Sequence, residues 1–271
     1  MTPPSRTPGD PPLIDLNCDL GEGFGAWAMG DDETLLSIVT SANIACGFHA
    51  GDPATMERVC WQAAENNVAI GAHVGYRDLA GFGRRPIAVD PDELISETIY
   101  QISALDGFAR VAGSHVSYVK PHGALYRTVT HDPLQAAALA EAVHRYDPEL
   151  AVLGLPGSQL LRQAELRGLR GVVEAFADRA YAADGTLLPR GEPGAVIHDS
   201  TTVVRRCVDM VLSGKVTAHD GSPVRIAPRS LCVHGDTPGA AEIAGAVRSA
   251  LLHGGVRLAP YSLMEDLGCA S

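Results

Sequence analysis

Seven short apolar runs recur along the chain, and most are separated by segments with helix start signals. The runs occupy residues 13–17, 42–46, 68–72, 116–120, 151–155, 171–176 and 230–234. Strands that alternate with helices pair in parallel through right-handed crossovers. The pattern therefore predicts an α/β fold with about seven parallel strands.

Aspartate and proline mark the start of several predicted helices. An aspartate caps the first free N–H groups, and proline suits the first helical position. The helix after Asp52 places Met56, Val59, Cys60 and Ala63 on one face, which indicates inward packing. The other predicted starts are Asp90-Pro91, Asp132-Pro133, Ser200 and Thr237-Pro238.

The arrangement of strands favours a closed barrel over an open sheet. An open doubly wound sheet concentrates its ligand at one switch point, whereas polar residues here follow nearly every strand. No linker-like change of composition interrupts residues 13–271, so we predict a single β/α-barrel domain there after a disordered leader at 1–12. Residues 182–193 and 212–230 are predicted surface excursions.

Charge and cysteine usage exclude several classes of partner and compartment. The chain has 21 basic and 32 acidic residues, a net charge of −11, and no basic run that would neutralise a phosphate backbone, so no nucleic acid is expected. Its six cysteines form no CxxC pair, which fits a reducing compartment. No apolar segment resembles a signal peptide or reaches the ~18 residues of a membrane span. We expect a soluble cytoplasmic protein with no membrane partner.

The polar residues that follow the strands predict one composite site, because the carboxyl ends of parallel strands lie on one face. Asp19, His73 and His122 each follow a different strand and together offer one carboxylate and two imidazoles. Three such ligands would hold a divalent metal with positions open for water and a carbonyl oxygen. Neutral histidines that line a polar pocket explain the same residues equally well. His49 is a substitute ligand or an acid–base group.

Acid–base chemistry is predicted at three further positions. Glu174 and Asp178 alternate with Phe176, so their side chains share one face of an extended segment. They would transfer protons, or would neutralise Lys120 and Arg179. His234 is a candidate base that Asp236 would orient.

The glycine-rich segment 21–26 does not support a nucleotide site. Gly21, Gly23 and Ala26 fit the G-x-G-x-x-A spacing, but Asp19 and Glu22 would repel a pyrophosphate. The chain contains neither a G-x-x-x-x-G-K-[ST] loop nor a G-x-S-x-G elbow. ATP, if it is used, is bound elsewhere or by a partner.

Six motifs together resemble the LamB/YcsF family, whose members form the A subunit of prokaryotic 5-oxoprolinase. They are DLNCDLGE at 15–22, ACGFHAGD at 45–52, GAH at 71–73, VKPHGALY at 119–126, EAFADRAY at 174–181 and CVHGD at 232–236. The resemblance extends from about residue 13 to residue 260. It implies a seven-stranded barrel similar to the glycoside hydrolase/deacetylase superfamily.

The resemblance also implies ATP-dependent opening of 5-oxo-L-proline to L-glutamate, in a complex with subunits B and C. Related deacetylases hold their metal on an aspartate after the first strand and on later histidines, which by position suggests Asp19, His73 and His122. The expected catalytic residues are Lys120, Glu174, Asp178, His234 and Asp236, and the expected substrate contacts are Asn17, Asn43, His49, Tyr126 and Arg179. Two alternatives stay open: a stand-alone metal-dependent deacetylase of an N-acetylated sugar, and a non-catalytic ligand-binding subunit that regulates its partners.

Overall fold

Seven parallel strands close into a barrel in the computed structural model, which describes residues 11–235 and 239–263. The barrel strands are β1 (Leu13–Leu20), β2 (Ser41–Ala45), β3 (Ala69–Val74), β4 (Val116–Pro121), β5 (Ala151–Gly154), β6 (Arg170–Phe176) and β9 (Ser230–Val233). Strand β9 pairs in parallel with both β6 and β1, and this double pairing closes the cylinder. The predicted single β/α barrel is confirmed, and the seven predicted strands match the observed ones within a few residues.

Three short strands lie outside the barrel. β7 (Lys215–Thr217) and β8 (Pro223–Arg225) form an antiparallel hairpin, and β10 (Arg257–Leu258) pairs with the start of β1. The predicted excursion at 212–230 is therefore largely a hairpin whose Val216 and Val224 are buried. Residues 182–193 form turns without regular structure, as predicted.

Helices surround the barrel. They are α1 (Asp32–Leu36), α2 (Pro53–Glu65), α3 (Pro91–Val111), α4 (Gly123–His131), α5 (Pro133–Tyr146), α6 (Gln159–Leu166), α7 (Ser200–Ser213) and α8 (Ala240–His253), with 3₁₀ turns at Leu79–Gly81 and Tyr261–Leu263. Helices α2, α3 and α5 begin at the predicted proline after a capping aspartate. The predicted start at Thr237-Pro238 and the leader at 1–10 lie outside the described residues.

Three helices carried no clear sequence signal. Helix α4 begins directly after His122 without a side-chain cap, so nothing local announces it. Helix α1 has five residues and α6 has eight, and both are too short for a repeated apolar face. Helix α1 contacts α2 and α8, helix α4 contacts α5, α6 and β4, and helix α6 contacts α5, β5 and β6.

The barrel interior is polar at its centre. Along β1, the polar residues Asp15, Asn17 and Asp19 alternate with apolar residues that pack against the helices. Successive strand residues point to opposite faces, so the three polar side chains share the inner face. In the described part of the chain, no helix has the length and hydrophobicity to cross a membrane.

Candidate active site

A cavity of about 160 Å³ lies at the carboxyl ends of the barrel strands. The predicted site residues that line it are Asp19, His73, Lys120, His122, Tyr126, Arg179 and His234. They come from β1, β3 and β4 and from the segments that follow β4, β6 and β9. Residues more than two hundred positions apart in sequence are therefore brought into one site.

Lys120 is the buried cation at the floor of this cavity. Its Nζ lies 3.0 Å from Asp19 Oδ1 and 3.3 Å from Glu174 Oε2, and it donates to Cys232 Sγ at 3.0 Å. Burial alone lowers the pKa of Lys120, but Asp19, Cys232 and Glu174 outweigh burial and raise the pKa well above its ordinary value. Lys120 is therefore a permanent ammonium held between two carboxylates.

Asp19 is correspondingly held as a carboxylate. Burial alone raises its pKa, but Lys120 and His73 outweigh burial and hold the pKa of Asp19 well below its ordinary value. Asn43 Nδ2 also donates to Asp19 Oδ1 at 2.8 Å. One oxygen of Asp19 is thus fully engaged inside the protein.

Asn17 and Asn43 lie beneath the cavity and do not line it. Asn43 Nδ2 donates to Asn17 Oδ1 at 2.7 Å, and the Tyr118 hydroxyl donates to Asn43 Oδ1 at 2.7 Å. Both asparagines are fully buried. Their position supports Asp19 and Lys120 from below and leaves no surface for direct contact with a molecule in the cavity.

A deeper polar layer surrounds Asp15. Its Oδ1 accepts from Thr40 Oγ1 at 2.6 Å and from Ser41 Oγ at 2.7 Å, and its Oδ2 accepts from Ser230 Oγ. Burial raises the pKa of Asp15 to about 6. This layer was not predicted from the sequence, although the alternation of Asp15, Asn17 and Asp19 is its signal.

His234 and Asp178 form a second buried pair. His234 Nδ1 lies 2.7 Å from Asp178 Oδ1, and the imidazole stacks on the Phe176 ring at 5.4 Å between centroids. Burial alone raises the pKa of Asp178, but His234 outweighs it and the pKa is lowered. A carboxylate accepts only, so Nδ1 carries the hydrogen, and the neutral form of the ring would present its lone pair on Nε2. Asp236, the predicted orienting group, lies outside the described residues.

Three histidines and a glutamate form a cluster beside the cavity, and all of them except His49 line it. Ligand atoms of Glu22, His49, His73 and His122 all lie within 4.8 Å of one another. The His49 and His122 rings stack at 3.8 Å, and Glu22 Oε1 lies 3.4 Å from His49 Nε2. Burial, together with neighbouring imidazoles, holds the pKa values of His49 and His122 well below the ordinary histidine value. Both are neutral and able to act as metal ligands.

The predicted metal set is divided between two groups of residues. His73 and His122 belong to the cluster with Glu22 and His49, whereas Asp19 groups with Cys232 and His234. Glu22 was seen in the sequence only as part of a glycine-rich turn. Its place beside three imidazoles depends on how the segment after β1 folds back over the barrel.

Four arginines line the same cavity: Arg84, Arg127, Arg179 and Arg190. Arg179 donates through Nε to the Ala195 carbonyl at 3.3 Å and through Nη2 to the Leu188 carbonyl. Burial and the neighbouring Arg190 lower the pKa of Arg179 to about 10. Arg179 therefore anchors the segment after β6, and the cavity as a whole favours an anionic ligand.

Comparison with known proteins decides the family. The sequence model of the LamB/YcsF family matches residues 14–266. The chain belongs to the LamB/YcsF family. A protein of Streptomyces avermitilis that is named as the A subunit of 5-oxoprolinase is 61% identical over 250 residues, which cover 92% of this chain and 100% of that protein.

Solved structures agree with the fold of this LamB/YcsF chain. The crystal structure of a lactam utilization protein from Thermus thermophilus has a TM-score of 0.87 and 45% identity, covering 91% of this chain and 99% of that one. A peptidoglycan deacetylase from Bacillus subtilis has a TM-score of 0.50 at 11% identity, covering 96% and 92%. At that identity the likeness extends to the fold alone.

Several residues of the candidate site were not predicted from the sequence. They are Glu22 and the lining arginines Arg84, Arg127 and Arg190. The arginines lie in loops and in helix α4, where an isolated basic residue resembles any solvated surface charge.

The Tyr126 hydroxyl lies beside Glu174, and burial together with this carboxylate raises the pKa of Tyr126.

Proposed function

We propose that this chain hydrolyses 5-oxo-L-proline to L-glutamate as the A subunit of an ATP-dependent 5-oxoprolinase (EC 3.5.2.9). The observation that carries the proposal is the cavity that joins a buried Asp178–His234 pair, the Lys120 ammonium and four arginines. A relative at 61% identity is named for this role, and a solved relative is named for lactam utilization. The proposal places the reaction at the barrel mouth.

The lactam has to be activated before water can attack it. A five-membered lactam is a resonance-stabilised amide, so its carbonyl carbon is a poor electrophile. Phosphorylation of the lactam oxygen at the expense of ATP turns that oxygen into an effective electron sink. The chain has no phosphate-binding loop motif, so we assign ATP binding and this phosphorylation to partner subunits B and C.

The barrel then directs water to the activated carbon. His234 Nε2 is the base that takes the proton from the attacking water, and Asp178 stabilises the imidazolium that forms. Ring opening breaks the C–N bond, and the departing nitrogen takes the proton that His234 Nε2 gained from the attacking water, while Glu174 remains the carboxylate paired with Lys120. The acyl phosphate that results yields glutamate and phosphate on hydrolysis.

The remaining predicted residues would bind and orient the substrate. Lys120 and the arginines carry the positive charge that the substrate carboxylate and the phosphoryl group require.

Five free, buried cysteines in the described part of the chain fit a reducing cytoplasm, where we place the enzyme.

The decisive experiment is reconstitution. The chain is copurified with subunits B and C, and glutamate release from 5-oxoproline is measured with and without ATP. We expect ATP-dependent release by the complex and none by the chain alone. Asp178→Asn and His234→Asn should each reduce the rate by ~10²–10⁴, while Asp220→Asn on the exposed turn between β7 and β8 serves as the control.

Two results would contradict the proposal. Hydrolysis by the chain alone at the rate of the complex would disprove the division of labour. Acetate release from an N-acetylated sugar by the chain alone, with no lactam activity in the complex, would support the deacetylase instead. Full activity in all the site variants would favour a non-catalytic, ligand-binding role.

A further inference from the structure

Two histidine nitrogens face each other in the cluster, and their hydrogen bonds determine which atoms they present. His73 Nδ1 lies 3.0 Å from the Lys120 carbonyl oxygen, and His122 Nε2 lies 2.9 Å from the Phe82 carbonyl oxygen. A carbonyl oxygen only accepts, so both of these ring nitrogens carry hydrogen. The other nitrogens, His73 Nε2 and His122 Nδ1, are therefore lone-pair atoms in the neutral rings, and they lie 3.1 Å apart.

Two lone pairs at this separation repel each other unless a positive charge lies between them or beside them. A single shared proton would satisfy the two rings. A metal ion would satisfy them too, and it would also account for further donor atoms around the same point. The geometry of the remaining cluster residues separates these two explanations.

His49 supplies the further donor. Its side chain is fully buried, and neither ring nitrogen has a hydrogen-bond partner among the described residues. Its Nε2 lies 3.4 Å from Glu22 Oε1, which is also 3.5 Å from His122 Nδ1. A shared proton between His73 and His122 leaves His49 unexplained, whereas a metal ion gives its nitrogen a partner.

We propose that His49, His73, His122 and Glu22 bind a divalent transition metal ion such as Zn²⁺. Three imidazoles and one carboxylate are typical ligands of zinc. Metal-bound histidines commonly donate their second ring N–H to a backbone carbonyl, as His73 and His122 do here. When bound, such an ion would lower the pKa of a water ligand beside the cavity and polarise a substrate oxygen.

This ligand set differs from the one that the family resemblance implies, because Glu22 and His49 take the place of Asp19. Asp19 Oδ1 is already held by the Lys120 ammonium and by Asn43, and that ammonium would repel a cation bound to the same oxygen. Asp19 Oδ2 lies 3.5 Å from His73 Nε2. We therefore assign Asp19 as a positioning residue next to the ion.

Binding is tested on the full chain without partners or substrate, so its outcome is independent of the proposed reaction. The protein is stripped with a chelator and titrated with Zn²⁺, with elemental analysis of the dialysed product. We expect about one equivalent of zinc and a higher melting temperature in its presence. Bound Co²⁺ should show the visible absorption bands that are typical of a low coordination number.

Variants that remove one ligand atom each distinguish the two ligand sets. Glu22→Gln and His49→Gln should each weaken Zn²⁺ binding by at least roughly tenfold, by the scale known for metal-site residues, whereas Asp19→Asn should change it less. His144→Gln, on an exposed position of α5, is the matched control. Circular dichroism establishes whether each variant is folded. If a histidine variant does not fold, Glu22→Gln still tests the ligand set.

The proposal is overturned by either of two results. A folded wild-type chain that binds no Zn²⁺ or Co²⁺ would leave a shared proton between His73 and His122 as the explanation. Loss of binding in Asp19→Asn with normal binding in Glu22→Gln would restore the ligand set implied by the resemblance.

Discussion

Lys120 is the residue on which the buried charges of the site depend. It lies between Asp19 and Glu174 with almost no exposed surface. A buried ion pair contributes little net stability, but removal of one partner leaves an uncompensated buried charge. Stability therefore depends on the charge balance of the three groups and not on any single contact.

Replacement of Lys120 by methionine should strongly destabilise the chain. Lys120→Met leaves two buried carboxylates without their cation, and we expect the free energy of unfolding to fall by about 3–5 kcal/mol. Urea denaturation measures the change. The only other lysine of the chain, Lys215, is exposed on β7, so Lys215→Met is the control. Recovery of stability in Lys120→Met/Glu174→Gln would confirm the cause, and a fully stable single variant would contradict it.

Asp15 should make stability depend on pH in an unusual direction. Its pKa is raised by burial to about 6 in the folded chain, from an ordinary value of 3.8. A raised pKa means that the folded state holds the proton more tightly, so this contribution is present below about pH 4 and is lost as the pH rises through about 6. The corresponding loss is roughly 3 kcal/mol.

The Asp15→Asn variant tests that assignment. The difference in unfolding free energy between wild type and variant should change by that amount from pH 4 to pH 7, measured by urea denaturation. Asp220→Asn is a control whose effect on stability should depend on pH in the opposite direction, because hydrogen bonds from Ser222 lower the pKa of Asp220. Parallel stability curves for wild type and Asp15→Asn would show that the Asp15 carboxyl group titrates at its ordinary pH.

At the scale of elements, Asp52 joins a helix to a loop of the site. Its Oδ1 caps α2 by accepting from Ala54 and Thr55 N–H groups at 3.0 Å, and its Oδ2 accepts from Gly25 N–H at 2.7 Å. The aspartate therefore holds the segment after β1, which carries Glu22, against the start of α2. The helix cap predicted from sequence also has this second role.

Asp52→Ala should lower the free energy of unfolding by about 1–2 kcal/mol, because it removes the cap and the loop contact together. Asp52→Asn keeps one acceptor oxygen and should cost less. Thermal and urea unfolding measure both variants. Asp132→Ala, which removes the cap of α5 away from the segment after β1, is the comparison, and a larger loss there would argue against a special role for Asp52.

Gly71 on β3 gives Tyr118 the space to enter the barrel. A Cβ atom at Gly71 would lie 2.1 Å from the Tyr118 ring, and the Tyr118 hydroxyl supports Asn43 below the site. We expect Gly71→Ala to lower the free energy of unfolding by roughly 1–3 kcal/mol through overpacking. Gly107→Ala, in helix α3 with no atom within 4 Å of the new Cβ, should instead be neutral or stabilising. Equal effects of the two variants would contradict the packing explanation.

At the scale of the whole molecule, the charge of the cavity is opposite in sign to the net charge of the chain. The chain carries −11, yet four arginines and Lys120 line one cavity against two carboxylates, Asp19 and Glu22, so that its basic residues outnumber its acidic ones. A cleft of one sign of charge in a protein of the other sign attracts oppositely charged ligands by focusing the local field. The cavity should therefore discriminate by charge.

Arg190→Gln should raise the KM for 5-oxoproline in the reconstituted complex by roughly tenfold, because a charged hydrogen bond contributes about 1.5–3 kcal/mol. The effect on kcat should be smaller. The KM of the wild type should also rise with ionic strength more steeply than that of the variant. Arg225→Gln on the β7–β8 hairpin is the control. An unchanged KM would show that Arg190 does not contact the substrate or its phosphorylated form.

Much of the barrel follows from local signals in the sequence. The apolar runs, the Asp-Pro helix starts and the polar residues after each strand predicted seven parallel strands and one site at their carboxyl ends. These features depend on neighbouring residues, because capping, the fixed φ of proline and side-chain alternation act over a few positions. The family motifs agreed with them.

The tertiary structure decided which of the predicted charged groups pair with one another. The barrel brings Lys120 to Asp19 and Glu174, and the pairing of β9 with β6 brings His234 to Asp178. The segment after β1 folds back and places Glu22 beside three histidines. Each of these pairings joins residues from different strands or from the loops that follow them. Electrostatic and hydrogen-bond energies depend on distances of a few ångströms, and only the closed cylinder determines those distances.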